Sequence, residues 1–270
     1  MTKKNISAAV VVAFLLLAAS CVSAPYLEKA RFTEKHYTFT ILNNPQQPKD
    51  SHQLELALSL LQMNYPAEQA EFLDEVLYME GGINGYKDQL ISEQRENYRN
   101  TLSVLSDMEK RVLTNAPWRY VEDIFVRDPK ETAIVVEREF FSFTGGVRGM
   151  PTKRYYVIDL EELRVLKVDD FFRDFQGTAI RAVVYEELRN RSGMEENVPL
   201  SRGIYLKNEP ELSFNFFITQ DGIGLHWDPF EIAPHSEGRI EVILPWRKIR
   251  PLLLHEGLEL LTKFGIYLFV

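Results

Sequence analysis

The chain has 270 residues, of which 45% are hydrophobic, 12% aromatic and 26% charged; these proportions describe a folded globular protein and exclude disordered, collagenous or coiled-coil chains. Thirty-one basic residues against thirty-nine acidic ones leave a net charge of -8, which argues against nucleic acid as a partner, because phosphate binding needs clustered Lys and Arg. The single cysteine, Cys21, excludes a disulfide framework and a cysteine-based zinc site.

The N-terminus reads as an address. A short basic start, Thr2-Lys3-Lys4-Asn5, precedes an apolar run from Ile6 to Ala19 that has signal-peptide length and falls short of the ~20 residues that span a bilayer. The run ends in Leu17-Ala18-Ala19-Ser20-Cys21. Small residues ahead of a lone Cys resemble the bacterial lipobox, in which the Cys becomes the acylated N-terminus; here Ala18 stands where Leu is usual. Two other readings stay open. Cleavage after Val22-Ser23-Ala24 has the small-x-small spacing but leaves Pro25 first, and the segment could also stay uncleaved as an anchor. Lipidation of Cys21 is preferred, with residues 1–20 as signal peptide and 21–36 as tether. It implies an extracytoplasmic lipoprotein held to a membrane. Removing residues 1–20 takes two lysines and no acid from a charge of -8, leaving -10.

Tyr37 to Ile41 alternates apolar with polar and predicts a strand, closed by the turn residues Asn43-Asn44-Pro45 and Pro48. Leu54, Leu56, Leu58 and Leu60 recur at every second position and favour a strand ended by Tyr65-Pro66, although Leu54, Leu58 and Leu61 also fit a helical face. Ala67 to Tyr78 is helical in character, and Gly81-Gly82 breaks it. A helix is predicted from about Lys87 to Thr114, on the stripe Tyr98, Leu102, Leu105, Met108 and Val112, with Pro117 as its stop. Residues 118–126 and 132–143 are aromatic and β-branched and read as paired antiparallel strands, continued by 154–159 and 164–168.

Thr178 to Arg191 predicts a second amphipathic helix, with Ile180, Val183, Val184 and Leu188 on its face and Gly193 as its cap. Strands follow at 211–219, 222–227 and 239–244, then a short helix at 245–254. The run Phe264 to Val270 is too short to span a membrane and reads as a closing strand. Strands come in runs without βαβ alternation. The fold class is therefore α+β, an antiparallel sheet meander packed against a few amphipathic helices. A smaller N-terminal module, residues 37–117, packs as one body with a C-terminal module, residues 118–270.

The order Phe141-Ser142-Phe143-Thr144-Gly145-Gly146-Val147-Arg148-Gly149, then Tyr155 to Leu160, Leu166 to Phe172, Phe217 to Gly222, Asp228 to Pro234 and Ile243 to Trp246 resembles a known family. It is similar to the extracytoplasmic domain of the RsiV anti-sigma factors, a domain also found ahead of the catalytic domain in the PdaC peptidoglycan deacetylase. The likeness is strong over residues 118–253 and weaker from Tyr37 to Leu113. It implies a sensory or binding module of the cell envelope, whose ligand in RsiV is lysozyme. The sigma-binding, transmembrane and deacetylase parts are absent from this sequence. Where family members carry His in the glycine loop, this chain has Arg148.

Gly145, Gly146, Arg148 and Gly149 on that loop, with Asp228 and Glu231 on the later Asp-Pro corner, are the ligand-binding candidates. An arginine there could grip a carboxylate or phosphate. His226, Asp228, Glu231 and His235 lie within ten residues but lack a helical His-x-x-x-His spacing, so fold and surface roles are preferred over a metal. No Gly-x-Ser-x-Gly, Walker loop or Rossmann fingerprint is present, and no catalytic residue or cofactor is assigned. The acidic charge favours a cationic partner such as a lysozyme-like muramidase, with peptidoglycan as the alternative ligand, and the membrane is engaged through lipid on Cys21. An enzyme acting on cell-wall glycan or peptide, and a structural envelope lipoprotein, are the alternatives.

Overall fold

The computed structural model describes residues 31–42, 53–106, 108–109, 117–145 and 148–268; Cys21, Asn43 to His52 and Gly146 lie outside them. Strands β1 (Phe32–Leu42), β2 (Gln53–Met63), β3 (Trp118–Arg127), β4 (Ala133–Phe143), β5 (Met150–Asp159) and β6 (Arg164–Leu166) form one sheet in sequence order. Neighbours are antiparallel except β2 and β3, which run parallel. A parallel pair needs a long crossover, here supplied by helices α1 (Ala67–Tyr78) and α2 (Gly82–Val104). The sheet thus runs without interruption past position 117. A second, three-stranded antiparallel sheet consists of β7 (Phe216–Ile218), β8 (Gly222–Trp227) and β9 (Ile240–Pro245). Helices α3 (Thr178–Arg191) and α4 (His255–Lys263) complete the α+β fold. Among the described residues no helix is long and apolar enough to cross a membrane.

Strand alternation decides what each face of the large sheet meets. Leu54, Leu56, Leu58 and Leu60 of β2 are all buried, as a strand with one inward face requires, and α1 and α2 cover them with Leu73, Leu77, Leu90, Tyr98 and Leu102. Ala133, Val135 and Val157 point the other way, into a core shared with Ile180, Val184 and Leu188 of α3. The same core takes Ile223, Leu225, Val242 and Leu244 from the second sheet.

Three expectations are corrected. The predicted helix from Lys87 to Thr114 starts earlier and stops at Val104. Its stop has a local cause: the Ser106 and Glu109 side chains each bond the other's backbone N–H, a capping box that starts a new turn. Met108, part of the predicted apolar stripe, is 77% exposed. Of the strand predicted at 211–219, only Phe216–Ile218 forms. The closing strand is not observed over residues 264–268. Instead α4 ends in a Schellman motif, with Gly265 at φ +73°, Gly265 N–H donating to Thr262 O and Ile266 N–H to Leu261 O.

Beneath α1 lies a buried ion pair. Glu122 of β3 is wholly buried and accepts from Arg138 Nε of β4 at 2.7 Å and from Tyr86 Oη at 2.6 Å; Arg138 Nη1 reaches Leu77 O at 2.8 Å. Removing one partner strands a buried charge. R138M should lower unfolding free energy by about 3–5 kcal/mol in urea titrations, and E122Q/R138M should recover a substantial part of the loss. A neutral R138M would contradict the pairing.

Candidate functional site

The strand β6 pairs only with Val157, Ile158 and Asp159 of β5, so the outer edge of β5 is left without a strand at Lys153 and Tyr155. Side chains of the second sheet's flanks fill those ladder positions. Asp228 Oδ1 accepts the Lys153 N–H at 2.9 Å. The Asn215 amide accepts from Tyr155 N–H at 2.9 Å and donates to Lys153 O at 2.7 Å. Asn215 thereby acts as a one-residue strand, which explains why the chain before Phe216 needs no regular pairing.

Behind that edge lies a network of charges between the two sheets. Lys153 Nζ contacts Glu137 at 2.5 Å and Glu139 at 2.9 Å, with Glu241 of β9 at 3.7 Å. Arg127 also pairs with Glu137, and Arg239 with Glu139 at 2.7 Å. His226 is wholly buried, and its ring nitrogens each sit 2.9 Å from a carboxylate, Nε2 from Asp228 and Nδ1 from Glu241. Burial disfavours an imidazolium, but the hydrogen bonds and charges of Asp228 and Glu241 outweigh it and raise the pKa above 6.5. Both ring nitrogens are thus engaged by carboxylates. The opposite balance holds for the acids. Burial works against ionised Glu241, yet His226, Tyr155 and Lys153 bring its pKa down to about 2. Asp228 is likewise lowered, against burial, by His226, the Lys153 amide and Arg154.

The network reaches solvent at Arg154, whose Nη1 donates to Asp228 Oδ2 at 3.0 Å. Beside it opens a cleft of about 610 Å³, lined among others by Arg154, Glu211, Phe214, Asn215, Trp227 and Glu231. Glu211, Glu231 and the ring of Phe214 are exposed, and among the described residues neither glutamate is in an ion pair. Glu231 Oε2 accepts the Asp228 N–H at 2.6 Å, tying the corner to itself. Within this corner Phe230 has φ +73°, a left-handed conformation rarely adopted by a bulky residue, at a cost of about 1–3 kcal/mol.

Of the sequence candidates, Asp228 and Glu231 are brought together here. Gly145 has φ +85°, and at Gly149 a Cβ would lie 2.2 Å from the Phe141 ring, so both glycines have conformational or packing reasons. Arg148 is exposed on the hairpin turn and does not line the cleft; Arg154 supplies the guanidinium there. The two candidate loops do touch, with His235 Nε2 at 3.4 Å from Gly149 O. Sequence reading missed Lys153, Arg154, Asn215, Glu241 and Phe230. One signal was available: Glu137-Arg138-Glu139 interrupts the apolar run of a central strand, where charges must find buried partners.

Residues 169–247 match the family model described as "Protein of unknown function (DUF3298)". That stretch holds α3, the whole second sheet, Asn215, His226, Asp228 and Glu241. The chain is similar to the crystal structure of a DUF3298 family member from Bacteroides fragilis, with TM-score 0.70 and 17% identity, over 83% of this chain and 94% of that one. It is also similar to a DUF3298 family protein from Pseudomonas aeruginosa, with TM-score 0.57 and 15% identity, over 84% and 96% respectively. At such identities the likeness is one of fold. No curated protein matches the sequence.

The burial of His226 between two acids makes stability depend on pH. Its folded pKa is raised, so its contribution is complete below the unfolded value near 6.5 and is lost as pH rises through the folded value. H226Q should therefore cost most in urea denaturation at about pH 5.5, and the gap to wild type should narrow toward about pH 9. A gap that stays constant over that range would contradict a buried imidazolium.

Proposed function

We propose that the protein is a lipid-anchored binding protein of the cell envelope, tethered through Cys21, that engages a cationic macromolecule of the lysozyme-like muramidase class. The observation that carries this reading is the cleft beside the β5 edge. It is lined by two exposed carboxylates, Glu211 and Glu231, neither in an ion pair among the described residues, and by the exposed ring of Phe214, while its guanidinium, Arg154, is already engaged by Asp228. A basic side chain of a partner finds both charge and a ring face there. The charge of -10 that remains once residues 1–20 are removed from a chain of charge -8 adds long-range attraction for such a partner. The likeness of residues 118–253 to RsiV-type domains supports the choice of muramidase. A cell-wall enzyme would have gained support from acids of the 221–235 segment converging on Arg148. The acid that meets a guanidinium is Asp228, on Arg154, and its ion pairs with Arg154 and His226 favour a held geometry over proton transfer.

Calorimetric titration of residues 26–270 with lysozyme should give saturable binding that weakens as salt is raised, with loss of lysozyme activity in parallel. Heat without saturation, and full enzyme activity, would overturn the proposal. Separately, cells fed labelled palmitate should label the wild type and not C21A, which should leave the membrane fraction. A C21A protein that remains in that fraction would contradict the anchor.

A further inference from the structure

We infer that Phe230 is a preformed apolar anchor through which the face around the cleft docks a partner protein whose own surface is basic around an apolar recess. The inference rests on the binding function proposed above and names the residue that dominates it. Phe230 is 57% exposed, and the neighbouring cleft adds Phe214, exposed to 59%. Exposed aromatic rings beside a cleft lined by an arginine and two glutamates have the composition of interface hot spots.

The conformation is what separates Phe230 from an incidental surface ring. Met79 is also exposed at positive φ, but it is the residue at which α1 ends, its N–H donating back to Glu75 O of that helix. Phe230 ends no helix. Its left-handed backbone is imposed by the loop around it. Asp228 is fixed by the Lys153 amide, His226 and Arg154, and the Asp228 N–H is held by Glu231. The Phe230 N–H donates to Ala233 O, the Glu231 N–H to Asp228 O, and the ring rests on His235 with centroids 5.2 Å apart. The ring is thus displayed before any partner arrives, and little ordering remains to be done on docking. Glu231, next to it in the chain, and Glu211 both line the cleft, and these acids select a basic partner and disfavour an anionic membrane surface.

Phe230→Gly and Phe230→Asn both tolerate the left-handed backbone and remove the ring. Each variant is titrated with lysozyme, and with the tripeptide Lys-Trp-Lys followed by NMR, next to thermal unfolding. The expected result is a melting temperature no lower than wild type and lysozyme binding weakened at least about tenfold. Tripeptide-induced shifts should fall on Phe214, Phe230 and Glu231 and vanish in both variants. Wild-type lysozyme affinity in the folded variants would overturn the anchor and leave the binding function standing. Tripeptide shifts at Phe230 without any lysozyme binding would support the anchor and overturn the muramidase reading. Shifts elsewhere, no shifts, or a lower melting temperature in both variants would overturn the anchor, the last by showing the ring to be a packing element of its loop.

Discussion

The three-residue length of β6 is the constraint from which the site follows. A longer strand would have paired with β5 along its whole edge. As it is, Lys153 and Tyr155 present backbone groups that must find partners, because buried amides left unpaired cost as much as lost hydrogen bonds. Asp228 and Asn215 supply them. Closing the edge with side chains rather than a strand draws the second sheet against the first and fixes the corner that carries Phe230 and Glu231. The cleft therefore stands next to the place where the ladder is completed by side chains.

This closure brings charge into the interior. Strand alternation turns the Lys153 side chain inward between the sheets, where an isolated ammonium would be untenable. Glu137 and Glu139 on β4 and Glu241 on β9 surround it, and Arg127, Arg239 and His226 in turn neutralise those acids. Such a network specifies geometry more than it adds stability, since its Coulombic gain is spent largely on desolvation. Its value to a binding surface is that the acidic corner at Asp228 and the guanidinium of Arg154 are held in one arrangement from below.

Much of the architecture was legible in the sequence because single-face burial imposes simple periods. The alternate leucines of β2 and the stripe of α3 report their buried faces directly. The elements that were misread are those set by local hydrogen bonds or by the rest of the fold. The α2 stripe ran on in sequence past Val104, but the Ser106–Glu109 capping box outweighs periodicity there. The apolar C-terminal run resembles a strand, yet Gly265 closes a helix in front of it. The pairing of β2 with β3 is invisible from either strand, because it depends on the crossover between them. In the site, Asp228 and Glu231 stood out as an Asp-Pro corner. Asn215 did not, since a single amide filling a ladder position leaves no pattern in sequence.

Amide hydrogen exchange at Lys153 and Tyr155 tests the edge closure most directly. Both amides should exchange as slowly as those in the β4–β5 ladder. D228A should release Lys153, and N215A should release Tyr155, while the ladder amides stay protected. Fast exchange at these two positions in the wild-type protein would contradict the account, because Asp228 and Asn215 would then not be completing the sheet.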